Sequence, residues 1–237
     1  MQVIILAGGL GTRMSEETDF IPKPMSKIGK KPILWHLLKY YNHFGFKDFV
    51  ICSGYKSKII KSYFNNEDNF LNSINVKVVF TGKHSNTGER IKRVQRLIKN
   101  DFMLTYGDGI SNVNITSLLK KHKNKNFLVT LTAVKPEPRF GKLTLKGNKV
   151  LNFSEKKNNK NDWINGGFMV CNKKIFSFIK KKNSVFESDI LDALAKKGKL
   201  QAYKHKGFWQ PVDTLKEKRY LNSIWLKKKA PWKIWKN

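Results

Sequence analysis

From Val3 to Ala7 the chain is apolar at every position, and the run then breaks into Gly8, Gly9 and Gly11. A strand covered on both faces reads as an unbroken apolar run, whereas a half-exposed one alternates, so Val3–Ala7 is predicted to be a buried parallel strand. Residues 33–44 place Ile33, Leu34, Leu37, Leu38 and Tyr41 at helical spacing, and residues 49–52 form a short strand ended by Ser53-Gly54, which completes one βαβ unit. The same alternation predicts helices over 59–64 and 90–98 and strands over 76–80 and 102–106, with a polar exposed loop over 65–75. Strands that alternate with helices imply an α/β fold, with a doubly wound, mainly parallel twisted sheet and ligands beyond the carboxyl ends of its strands. Gly8-Gly9 and Gly107-Asp108 both fall at such ends.

After residue 126 the pattern changes. Residues 127–134 form a β-branched strand, 141–152 a hairpin turning at Lys146-Gly147-Asn148, and 166–171 another strand, which mixes small antiparallel additions into the sheet. Helices are predicted over 188–195 and 215–225, followed by a basic aromatic tail over 230–235. No internal repeat or low-complexity linker interrupts the chain, and 237 residues suit one sizeable α/β domain, residues 1–237.

Lys and Arg number 47 against 17 Asp and Glu, a net charge of +30 that raises nucleic-acid binding as a candidate. The lysines are scattered, in pairs and triplets from Lys120-Lys121 to Lys227-Lys228-Lys229, rather than gathered in one arm. That distribution predicts a solvated lysine-rich surface and no nucleic-acid partner, with attraction of anionic substrates as the alternative. Cys52 and Cys171 lie far apart between apolar neighbours and read as buried free thiols. No apolar run reaches the roughly 20 residues of a membrane span, and no signal peptide precedes the first strand, so a cytoplasmic protein without a membrane partner is expected.

Three glycines after a strand let the backbone approach a ligand closely with its N–H groups outward, and Arg13 adds a fixed cation. The spacing fits neither the Walker A nor the dinucleotide pattern, leaving a third kind of phosphate loop or a plain tight turn. Lys23, between Pro22 and Pro24, is predicted to sit on a stiff extended segment. Asp108, between two glycines, either presents a carboxylate to a metal or caps its own turn. Asp213 either caps the last helix or leaves that role to Thr214. Two carboxylates from distant strand ends meeting over the glycine loop would suit Mg²⁺ carrying waters and phosphate oxygens.

Residues 6–13 together with Pro22-Lys23-Pro24-Met25 resemble the N-terminal signature of the sugar-1-phosphate nucleotidyltransferases. The resemblance extends through Tyr106-Gly107-Asp108-Gly109, Arg139-Phe140-Gly141, Glu155-Lys156 and Trp163-Ile164-Asn165-Gly166-Gly167 to Gly207-Phe208-Trp209-Gln210-Pro211-Val212-Asp213. It implies a nucleotide-diphospho-sugar transferase fold with a nucleotide-binding half, 1–126, and a sugar-phosphate-binding half, 127–237. Leu6, Ala7, Gly8, Gly9 and Leu10 would surround the nucleoside, Gly11, Thr12, Arg13 and Lys23 the triphosphate, and Thr87, Arg90 and Gly107 would complete the nucleotide site. Gly141, Glu155, Lys156, Asn165 and Gly166 would hold the sugar phosphate. Asp108 and Asp213 would hold Mg²⁺, and Arg13, Lys23, Asp108, Lys156 and Asp213 would carry catalysis.

Within the family the chain is most similar to the cytidylyltransferase branch, which implies CTP and α-D-glucose 1-phosphate as reactants. It further implies a homotrimer or homohexamer and a product that feeds deoxysugar synthesis for surface polysaccharide. Three positions depart from the family pattern. Glu89 replaces a glycine, Lys157 follows Glu155-Lys156 where proline is usual, and the segment between residues 64 and 81 is short. In an attack of one anion on another the main requirement is cations, so the absence of a Ser-His or Cys-His pair is no objection.

Overall fold

The computed structural model describes residues 1–11, 19–65, 70–123, 126–136, 142–146, 148–154 and 163–235. The first half runs β1 (Val3–Ala7), β2 (Lys27–Ile28), β3 (Lys31–Pro32), α1 (Ile33–His43), β4 (Asp48–Ser53), α2 (Ser57–Tyr63), β5 (Asn75–Phe80), α3 (Thr87–Arg93), β6 (Phe102–Tyr106), β7 (Gly109–Ser111) and α4 (Ile115–His122). The second half adds β8 (Val129–Val134), β9 (Lys142–Lys146), β10 (Lys149–Ser154), β11 (Ile164–Cys171), α5 (Asp192–Lys196), β12 (Leu200–Lys204), β13 (Trp209–Pro211) and α6 (Leu215–Leu226).

Seven strands form the main sheet in the order β12-β8-β11-β6-β1-β4-β5, so strands of both halves join one sheet. β11 runs antiparallel to β6 and β8, and the other neighbours run parallel. β1 lies in the interior of the sheet and all five of its residues are buried, as its unbroken apolar run predicts. The period of two divides them between layers. Val3, Ile5 and Ala7 join a core with α1, α4, α6 and the C-terminal tryptophans, while Ile4 and Leu6 join a second core with Ile91, Phe186, Ile190 and Leu194. The sheet is thus wound on both faces, mixed and mainly parallel.

The hairpin β9–β10 forms as predicted, but as a separate two-stranded sheet, and the antiparallel member of the main sheet is β11. The helix expected over 188–195 is a π-helical turn, Phe186–Leu191, running into α5. The wider turn keeps Phe186, Ile190, Leu191 and Leu194 all facing the core. α4 and β12 had no clear signal. α4 buries only Ile115 and Leu118 in a basic helix, and β12 is an edge strand with no fully buried residue.

The aromatic tail closes over α1. His36 is fully buried, with its ring 4.6 Å from that of Trp225 and 6.2 Å from those of Trp232 and Trp235. An indole N–H can only donate, so Trp232 Nε1 at 3.4 Å fixes His36 Nδ1 as the acceptor, and Nε2 donates to the Ile28 carbonyl at 3.0 Å. Burial, outweighing the Ile28 and Lys31 carbonyls that favour the charged form, lowers the His36 pKa to about 4. The unfolded chain binds this proton near the ordinary value of 6.5, so stability is lost as pH falls from there towards 4. The loss by pH 4 is about 3 kcal/mol. Urea unfolding at pH 7 and pH 4.5 is expected to show this dependence in the wild-type protein and a correspondingly smaller one in His36→Phe. Equal pH dependence in both would refute the assignment.

Candidate functional site

β1 delivers the glycine loop to the carboxyl end of the sheet. Gly8 is buried, Gly9 and Leu10 are exposed, and Gly11 has φ +72°, in the region that favours glycine. Leu6, Ala7, Gly9, Gly11, Lys23, Pro24 and Asp108 line one cavity. Arg90, on α3, lies against Gly8 and does not line that cavity. A Cβ on Gly8 would come within 2.2 Å of its Nη1, so only glycine fits. Arg90 is 4% exposed, and its guanidinium donates to Gly8 O at 2.9 Å, Gly82 O at 2.7 Å, Thr81 Oγ1 at 3.0 Å and Ser53 O at 3.2 Å. Arg90 thereby ties the loop to the ends of β4 and β5, and burial lowers its pKa.

Lys23 sits in a single 3₁₀ turn, Lys23–Met25, rather than on an extended segment. Pro24 fits the first turn of a helix because its missing N–H is not needed there, and Met25 N donates to Pro22 O at 2.8 Å to close the turn. The Lys23 side chain is 10% exposed, and its amine lies 2.7 Å from Asp108 Oδ2 and 2.6 Å from Asp213 Oδ1. Burial works against its charge, but the two carboxylates outweigh burial and raise its pKa.

Backbone pairing brings these two carboxylates together. β7 and β13 run antiparallel with Gly109 opposite Pro211, and Val212 N donates to Asp108 O at 2.8 Å, which extends the pairing to the aspartates. Thr214, not Asp213, caps α6. Its hydroxyl accepts from Glu217 N, and the Glu217 carboxylate accepts from Thr214 N at 2.9 Å and Asp213 N at 2.7 Å in a capping box. The Asp213 side chain is thereby directed to Lys23 instead of its own helix. Two carboxylates that reach one cation at hydrogen-bond distance are hard-oxygen donors placed to share a divalent ion, with waters or phosphate oxygens filling its remaining positions. Among the described residues no group of three or more His, Cys, Asp or Glu side chains forms a denser metal cluster.

A second hydrogen-bonded group adjoins the first through β6. Tyr106, two residues before Asp108, donates to Glu187 Oε1, and Thr87 donates to Glu187 Oε2 at 2.6 Å. Asn165 Nδ2 lies 3.4 Å from Tyr106 Oη, and Gly167 N donates to Asn165 Oδ1 at 2.9 Å. Burial and the neighbouring Glu187 carboxylate both raise the Tyr106 pKa. Gly166 packs on β8, where a Cβ would meet Val134 Cγ1 at 2.8 Å, and its carbonyl accepts from Trp209 Nε1. Gly107 passes under Pro24, whose Cγ would lie 3.2 Å from a Cβ there.

Lys23, Asp108 and Asp213 therefore meet at one point, Thr87 and Asn165 lie at the two ends of one hydrogen-bonded chain, and Arg90 supports the loop from its buried side. Thr12, Arg13, Gly141, Glu155 and Lys156 lie outside the described residues. Glu187 belongs to no motif recognisable in the sequence. Its only signal was an acidic residue beside Phe186 in a chain with 17 acidic residues against 47 basic ones.

Comparison with known proteins finds relatives along nearly the whole chain. The nucleotidyl transferase family profile matches residues 2–222. The glucose-1-phosphate cytidylyltransferase of Salmonella typhimurium is 44% identical, covering 99% of this chain and 100% of the relative. The D-glycero-α-D-manno-heptose 1-phosphate guanylyltransferase of Campylobacter jejuni is 33% identical over 75% of this chain and 78% of its own length. The crystal structure of HddC from Yersinia pseudotuberculosis superposes with a TM-score of 0.74 at 26% identity, covering 94% of this chain and 99% of that one. A glycine loop at the end of a central strand, facing two aspartates joined across β7 and β13, thus stands in a chain matched almost from end to end, and the protein belongs to the nucleotidyl transferase family.

Proposed function

We propose that the protein transfers the cytidylyl group of CTP to α-D-glucose 1-phosphate, giving CDP-glucose and pyrophosphate. The convergence of Lys23, Asp108 and Asp213 on one point beside the glycine loop carries this proposal, and the full-length likeness to the Salmonella cytidylyltransferase supports it. In the reaction a phosphate oxygen of the sugar 1-phosphate attacks the α-phosphorus, and the bond from that phosphorus to the β-phosphate oxygen breaks. The nucleophile is already ionised, so positioning and charge neutralisation replace a general base.

Gly9 and Gly11 line the cavity and let the backbone pass close to the triphosphate, while Arg90 holds the loop in shape from below. Lys23 has a short reach from its 3₁₀ turn and transfers its charge from the carboxylates to the phosphates when these arrive. Asp108 and Asp213 would hold Mg²⁺, which supplies charge neutralisation on the phosphate oxygens when bound. Arg13 on the triphosphate, and Gly141, Glu155 and Lys156 on the sugar phosphate, complete the assignment by family resemblance. Leu6, Ala7, Gly8, Leu10, Thr12, Thr87 and Gly107 are assigned to the nucleotide side in the same way, and Asn165 and Gly166 to the sugar side.

In this proposal residues 1–237 act as one domain, supported by the single sheet that joins β6 of the first half to β11 of the second. The assembly is a cytoplasmic homotrimer or homohexamer. Among the described residues no helix is long and apolar enough to cross a membrane. The alignment with the Salmonella relative spans 256 positions against 237 residues here, so that relative carries residues without a counterpart in this chain.

Pyrophosphate release measured with glucose 1-phosphate and Mg²⁺, in parallel with CTP, UTP, dTTP, ATP and GTP, tests the proposal. The expected result is a strong preference for CTP and a product with the mass of CDP-glucose. Preference for another triphosphate overturns the nucleotide assignment, and turnover only with a heptose 1-phosphate overturns the sugar.

A further inference from the structure

The Glu187 carboxylate accepts hydrogen bonds from Thr87, assigned to the nucleotide side of the proposed site, and from Tyr106, which lies beside the sugar-side Asn165. The direction of every bond in this group is fixed by chemistry. Phe186 N donates to Thr87 Oγ1 at 2.8 Å, so the Thr87 proton goes to Glu187 Oε2. Gly167 N can only donate, so the Asn165 atom facing it at 2.9 Å is the oxygen, and the Asn165 NH₂ must face Tyr106. The Tyr106 hydroxyl gives its proton to Glu187 and offers Asn165 a lone pair. One Nδ2 proton of Asn165 then points at Tyr106, and the other has no acceptor among the described residues. The Tyr106 ring is held as well, because Gly167, at φ +81°, lies so close that a Cβ would come within 2.4 Å of Tyr106 Cδ2.

We propose that Glu187 is a positioning residue for the sugar side of the site: acting through Tyr106, it holds the Asn165 amide as a hydrogen-bond donor towards a hydroxyl oxygen of the sugar 1-phosphate. The inference rests on the assignment of Asn165 to the sugar under the proposed function. It goes beyond that assignment by fixing the polarity of the contact and by naming the carboxylate that imposes it. An unanchored asparagine can present either its oxygen or its nitrogen to a ligand. Here the backbone N–H of Gly167 and the Tyr106–Glu187 pair select one orientation.

Steady-state kinetics of wild type, Tyr106→Phe, Glu187→Ala and the double variant test this, with both substrates varied and folding checked by circular dichroism melts. Tyr106→Phe removes a single oxygen atom, so it keeps the test available if Glu187→Ala does not fold. It is expected to raise KM for the sugar 1-phosphate roughly tenfold, the scale of one hydrogen bond, with KM for CTP within about twofold of wild type. Glu187→Ala is expected to raise the sugar KM by the same factor, and the double variant to be no worse than Glu187→Ala alone, because both act through one chain of contacts. Among the 2-, 3-, 4- and 6-deoxyglucose 1-phosphates, one should lose the Tyr106→Phe penalty entirely, which identifies the hydroxyl that Asn165 reads.

In Tyr106→Phe, equal rises in both KM values, a fall in kcat alone, or a full penalty on every deoxy analogue overturns the inference. The comparison uses whichever sugar 1-phosphate the wild-type protein turns over, so a different natural sugar alters the proposed function and leaves this test intact. If wild type turns over none, the proposed function fails, and calorimetry of glucose 1-phosphate with wild type and Tyr106→Phe decides: equal affinities overturn the inference and a roughly tenfold loss supports it.

Discussion

Asp108→Ala is expected to lower turnover by at least ~10³-fold while leaving the fold intact, and Asp213→Ala to do the same. β7 and β13 are joined by backbone hydrogen bonds, and Val212 N reaches the Asp108 carbonyl, not its carboxylate, so the pairing survives truncation of either side chain. The Asp108 side chain is 35% exposed and belongs to neither core, so no packing is lost. What disappears is one of two hard-oxygen donors and half of the negative charge facing Lys23. Asp108→Asn keeps the shape and removes the charge, and it is expected to be nearly as inactive as Asp108→Ala. Pyrophosphate release and thermal melts, measured on the same preparations, check this. A folded Asp108→Ala or Asp213→Ala variant with wild-type turnover would sink the metal assignment.

The second large effect is expected at Lys23, and it has two signs. Lys23→Ala removes the ammonium that lies within 2.7 Å of both carboxylates, leaving two like charges facing each other in a partly buried site. The metal-free protein should lose roughly 1–3 kcal/mol, less than for a fully buried pair because Asp108 is about one-third exposed. Mn²⁺ in the absence of nucleotide should bind the variant on the order of tenfold more tightly than wild type, since no amine competes for the same oxygens. Turnover should nevertheless fall steeply, because the cation assigned to the phosphates is gone. Electron paramagnetic resonance titration of free Mn²⁺ reports the affinity without any catalytic assay. Unchanged Mn²⁺ affinity in a folded Lys23→Ala protein would show that the lysine and a divalent ion do not share this position.

The parts of the molecule legible in the sequence are those set by local pattern. An unbroken apolar run such as Val3–Ala7 has few homes other than the middle of a covered sheet, and it lies there. Apolar residues at helical spacing marked α1, whose inward residues include Ile33, Leu34, Leu37, Leu38 and Tyr41. The sequence left the cap of α6 open between Asp213 and Thr214, and the capping box of Thr214 with Glu217 settles it, which removes the local reason for Asp213 to turn towards α6. The elements without a clear signal, α4 and β12, have few buried side chains and depend on neighbours for their existence. The π-helical turn was read as an α-helix because periodicity alone does not reveal where a core demands one extra residue per turn.

Candidate chemistry divides along the same line. Local sequence is enough to place a glycine loop after a strand, to hold Lys23 between prolines, and to set Asp108 and Asp213 where a strand ends and a helix begins. Each of these is a property of a few adjacent residues and their backbone preferences. The fold alone brings the amine of Lys23 to aspartates 85 and 190 residues further along the chain, puts Arg90 beneath the loop and lets Glu187 link Thr87 to Tyr106. Those contacts depend on the register of β7 against β13 and on the order of strands in the sheet, which arise from packing summed over the whole core rather than from any local stretch of sequence.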